Sequence, residues 1–118
     1  MSQEGSAALH QVVDDYLQNR PTDVTLEAAA VRWSLRELAG RAPGRSVEIR
    51  VPPYGAVQAI VGTTHRRGTP SAVVQADART WLLVVAGKLS WAEAVTTGRV
   101  QASGERSDLS EYLPLLSD

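Results

Sequence analysis

The pentapeptide Val47-Glu48-Ile49-Arg50-Val51 constrains this chain more than any other stretch. Its strict alternation of aliphatic and charged residues fits a β-strand with one buried face and one wet face. Pro52-Pro53-Tyr54-Gly55 then turns the chain, and Ala56–Val61 reads as a second, antiparallel strand. A sheet that starts this way is covered chiefly on one face, and helices must supply the cover.

The flanking periodicity supplies them. Leu9, Val12, Val13, Tyr16 and Leu17 recur at helical spacing, with Asp14 and Asp15 on the wet side, until Pro21 stops the pattern. A second helix is expected behind Thr25 as N-cap. Its face is Ala28, Val31, Leu35, Leu38 and Ala42, with Trp33 off that stripe and Pro43-Gly44 at its end. Ala72–Ala76 reads as a short apolar strand, and Asp77 as the cap of a third helix over Ala78–Ala86. That helix is apolar nearly all round, so it must be covered on several sides. Ser90-Trp91-Ala92-Glu93 has the form of a capping box opening a short helix that ends at Gly98. Val100 and Ala102, alternating with Gln101 and Ser103, supply the last strand. A closing helix is expected from Asp108, with Leu109, Tyr112, Leu113 and Leu116 on its stripe and Pro114 bending its last turn. The fold class is α+β: a small, mostly antiparallel sheet of four to five strands covered by about five helices.

Several function classes are disfavoured at once. With 118 residues the chain suits one domain, and its net charge of −1 lacks the basic excess of a general nucleic-acid binder. There is no cysteine, hence no disulfide framework, thiol nucleophile or thiolate metal site. The longest apolar run, Trp81–Gly87, is far short of the roughly 20 residues that cross a bilayer. Met1–Ser6 lacks the form of a secretory leader, so a cytoplasmic address is expected. Helices on both sides of Gly87 resemble a helix-turn-helix, yet Trp91–Thr97 carries no basic residue to read bases or phosphates.

Catalytic residues are equally scarce. His10 falls on an exposed helical side and His65 in a polar loop with Arg66 and Arg67. No pair of His, Asp or Glu has metal-site spacing, and neither a phosphate-cradling glycine loop nor a nucleophile elbow is present. The chain is therefore expected not to be an enzyme and to need no cofactor. Its surplus is aliphatic: Ala, Val and Leu dominate the core positions, with no Phe.

An ordered set of residues also resembles a known family. Asp77, Thr80 and Trp81, then Gly87-Lys88-Leu89-Ser90-Trp91-Ala92-Glu93-Ala94, Gly98-Arg99-Val100, Gly104 and Asp108-Leu109 closely resemble the C-terminal half of sterol carrier protein domains. Val51-Pro52-Pro53-Tyr54-Gly55-Ala56-Val57-Gln58 and His65-Arg66-Arg67-Gly68-Thr69-Pro70 are similar to the bacterial branch found in actinobacteria. The C-terminal domain of mycothiol-dependent maleylpyruvate isomerases looks similar too, but its catalytic metal belongs to another domain, so no catalytic residue carries over.

The resemblance runs from about Ala28 to Leu116, which divides the chain into a helical extension over 1–24 and a sterol-carrier-like domain over 25–118. It implies a non-catalytic carrier that holds a sterol, fatty acid or acyl-CoA in an apolar tunnel. Val57, Val74, Leu82, Val85, Val95, Leu113 and Leu116 are the expected lining. His65, Arg66 and Arg67 are the expected polar mouth, facing a carboxylate or a coenzyme A phosphate. The competing expectation is a closed-core accessory module that keeps the fold without a cavity. Such a module would use Trp33, Leu115 or the first helix against a partner or a second copy, as a homodimer.

Overall fold

The computed structural model describes residues 2–62, 72–104 and 107–116, with the backbone alone for residues 2–4. The element order is α1 (Ser2–Leu17), α2 (Val24–Arg41), β1 (Val47–Val51), β2 (Gly55–Ala59), β3 (Ala72–Ala76), α3 (Ala78–Val85), α4 (Trp91–Thr96) and β4 (Val100–Gly104). The strands form one sheet in the order β2-β1-β3-β4. The β1–β2 and β3–β4 pairs are antiparallel and the central β1–β3 pair is parallel. The α+β expectation holds, with four helices and a mixed open sheet of four strands.

Register puts the apolar letters on one face. Ile49 stands opposite Val57 on one side and Val74 on the other, and Val74 stands opposite Ala102. Val47, Ile49, Val51 and Val74 are fully buried, while Arg50, Gln101 and Ser103 on the opposite face are exposed. Single-face cover follows from this alternation. α2 lies against β2, α1 packs across α2, and α3 touches both helices. On α1, Leu9, Val12, Val13 and Tyr16 are buried as the stripe requires, but Leu17 at its end is exposed. The crossing of α1 over α2 is close, since a Cβ on Gly5 would come within 2.4 Å of the Trp33 Cβ. Trp33 is thereby buried inside the chain.

α3 is the most enclosed helix. Ala78 and every residue from Thr80 to Val85 are buried. The Trp81 indole N–H donates to Ser34 Oγ at 2.8 Å, and that hydroxyl donates to the Val31 carbonyl at 2.7 Å. The one large polar atom of Trp81 is therefore satisfied inside the core.

Three sequence expectations need correction. The N-cap of α2 is Asp23, not Thr25, because the Asp23 carboxylate accepts from the Thr25 and Leu26 amides. The second strand stops at Ala59, since Ile60 takes a positive φ and its N–H turns to the Ala42 carbonyl. No closing helix forms: residues 107–116 are turns and irregular backbone. Asp108 captures the Ser110 amide at 2.9 Å, a local bond that competes with helix formation. Pro114 lacks an amide hydrogen and disfavours helical geometry at Leu113. The amide of Leu115 goes instead to the Val85 carbonyl at the end of α3.

Candidate functional site

Where α3 ends, the chain changes character. Gly87 holds a positive φ of 80°, and a Cβ there would meet the Pro114 ring at 3.4 Å. This turn, Lys88 and Leu89 lead to Ser90, whose Oγ accepts from the Glu93 amide and caps α4. α4 is only six residues long, with Ala94 as its buried residue. A helix this short cannot cover its surroundings, and clefts open on both sides of it.

One cleft of about 480 Å³ lies between the α3–α4 turn and the C-terminal segment. Leu89, Trp91, Leu113 and Pro114 form its apolar walls, and Lys88, Ser90, Glu93 and Ser110 its polar ones. A second, of about 380 Å³, lies beyond α4, with Val95 and Ala102 opposite Ser107 and Asp108. Trp91, Ala92 and Ser110 border both, so the two clefts adjoin at Trp91 and together make a surface trough. A smaller cleft of about 180 Å³ sits where α1 meets Ala86, Lys88 and Leu116. Both halves of the trough fall within the roughly 300–1,000 Å³ of small-molecule sites.

The Asp108 carboxyl lies below its usual range, chiefly because it accepts from the Ser110 amide at 2.9 Å. Behind the trough the C-terminal segment is fastened, with Leu115 buried and its carbonyl accepting from Arg41 Nη1 at 3.0 Å. The other dense polar cluster lies away from it. Glu27 accepts from the Tyr16 hydroxyl and, at 2.7 Å, from the Tyr54 hydroxyl, joining α1, α2 and the β1–β2 turn. The Arg79 guanidinium stands 5.1 Å from the Tyr16 ring centre. Burial, then the Glu27 hydrogen bond, raises the Tyr16 hydroxyl above its usual range. Tyr54 is raised chiefly by its bond to Glu27.

The expected lining residues divide sharply. Val74, Leu82 and Val85 are fully buried in the core and border none of these three clefts. Val57 is half-buried against the core and borders none either. Leu113 borders the first half of the trough, Val95 the second, and Leu116 the small cleft. The expected mouth residues His65, Arg66 and Arg67 lie outside the described residues. Trp33 and Leu115, named for a partner surface, are both buried within the chain. Trp91 and Lys88 were missed as site residues, although both stand in the Gly87–Ala94 run that carries the family resemblance. Among the described residues no group of three or more His, Asp or Glu could hold a metal ion, and no helix is long and apolar enough to cross a membrane.

Fold and site together define a small α+β domain with a packed core and an amphipathic surface trough. Residues 23–115 match the family model described as the bacterial SCP ortholog, and the chain belongs to that sterol-carrier-protein-like family. α1 precedes the matched region. No curated protein matches the chain.

Proposed function

We propose that this protein binds and carries an acyl or sterol chain in the trough along Trp91, performing no bond-making step on it. The observation that carries this reading is the pair of clefts that adjoin at Trp91, found in a member of a sterol-carrier-like family. Leu89, Leu113, Pro114 and Val95 supply apolar contact along it, and a few hydroxyls and charges can orient a polar end. An intracellular address belongs to the same proposal.

A fluorescent fatty acid titrated into the protein should saturate at micromolar concentration, and an unlabelled fatty acid should displace it. Absence of saturable binding overturns the carrier reading. The competitor is then a closed-core accessory module, which draws its support from the complete burial of Val74, Leu82 and Val85.

A further inference from the structure

Lys88 is the chain's single lysine; the other eleven basic residues are arginines. It stands at the junction of two clefts, bordering both the half of the trough walled by Leu89 and Leu113 and the small cleft under Leu116. It is exposed, and among the described residues its ammonium makes no ion pair or hydrogen bond. Neither nearby acid is paired with it. Asp14, on the small cleft, is paired with Arg20. Glu93, on the trough, makes no ion pair among the described residues.

The two ends of the trough differ in charge. The Lys88 end holds a cation free to turn, on a flexible four-carbon stem. The far end holds the Asp108 carboxylate, which accepts from the Ser110 amide at 2.9 Å, beside the apolar Val95 and Ala102. An anionic group placed at the far end would meet a fixed negative charge. The same group at the Lys88 end would meet the unpaired Lys88 ammonium, with the Glu93 carboxylate on the same half opposing it, and its apolar tail would run past Trp91 toward Val95.

We propose that Lys88 anchors the anionic head of the ligand, so that the protein selects single-chain anionic amphiphiles over neutral chains of the same length. This deepens the carrier reading and rests on it. The chemistry that Lys88 recognises is a terminal anion, either carboxylate or phosphate. Its point charge favours both without demanding the planar two-pronged geometry of an arginine site.

The test compares decanoate, decyl phosphate and decanol, titrated under NMR observation into the wild-type protein and into Lys88→Ala, Lys88→Arg and Glu93→Gln. Wild type should bind both anions more tightly than decanol, and added salt should erode that preference. Lys88→Ala should weaken decanoate by about tenfold, the scale of a hydrogen bond to a charged group, and leave decanol within about twofold. Lys88→Arg should restore much of the loss, and Glu93→Gln should tighten the anions alone. Whichever anion binds more tightly names the head group, and either order supports the site. If Lys88→Ala weakens decanoate and decanol equally, or changes neither, the anchor is wrong while the carrier reading stands. If no probe binds wild type, the carrier reading fails and takes the anchor with it.

Discussion

Trp81 and Trp91 sit on consecutive helices in opposite surroundings. Trp81 is fully enclosed, its indole N–H spent on Ser34 between α3 and α2. Trp91 is half-buried, borders both halves of an open trough, and shares one of them with Asp108 from a segment without helix. The difference comes from what covers each helix. α3 is buried at seven of its eight positions, whereas α4 is too short to bury more than Ala94. Here the aliphatic surplus closes the centre, and the unfilled space lies at the edge. Stability should therefore depend on the first tryptophan and binding on the second.

The sharpest way to break that division is substitution. Trp81→Ala should cost about 3–5 kcal/mol in urea unfolding, from lost burial, the cavity left behind and the stranded Ser34 hydroxyl. A loss under about 1 kcal/mol would mean that the core is not closed around it. Trp91→Ala should do the reverse. Its cost in unfolding should stay near about 1 kcal/mol, because the indole is already partly wet. Fatty-acid affinity should fall by about tenfold or more, equivalent to roughly 1.4 kcal/mol of lost contact. Equal effects of the two substitutions on stability would erase the contrast.

The two regions also differ in how they respond to pH. On the core side, Tyr16 and Tyr54 have hydroxyls raised above their usual value near 10. Their native state disfavours ionisation, so their stabilisation is complete below that value and is lost as pH climbs past it. Urea midpoints should fall as pH rises beyond about 10, and Glu27→Gln should make the fall shallower by removing its share of both shifts. On the trough side, Asp108 is lowered. Its contribution is present above the ordinary carboxylate value near 4 and fades as pH drops through the depressed one. That effect should be the smallest, visible as a loss of Ser110 amide order by NMR before the core unfolds. An Asp108→Asn variant should lack it.

These contrasts also show what a sequence can carry. The Val47–Val51 alternation, the Asp77 cap and the Ser90 cap are local signals, set by neighbouring residues and kept in the fold. The leucine spacing after Asp108 is locally helical, yet no helix forms there. The competing bonds, Asp108 to Ser110 and Leu115 to Val85, decide the backbone there, and the second of them spans distant parts of the chain. The α2 cap moved by two residues for a similar reason, since an aspartate and a threonine both cap well and Asp23 reached two amides first. The site was less legible still. Val74, Leu82 and Val85 can wall a void or fill one, and only the packing of distant elements chooses between these. Lys88 stands out in the sequence as the one lysine, but only the fold, which brings Leu113, Pro114 and Leu116 to the clefts it borders, gives it a site.

The most direct measurement is a map of backbone and methyl chemical-shift changes on titration with decanoate. The account predicts changes at Lys88–Val95, Ser110 and Leu113, with Val74, Leu82 and Val85 unmoved. Changes concentrated on those three core residues would place the ligand in an interior that opens to receive it, and would contradict the account.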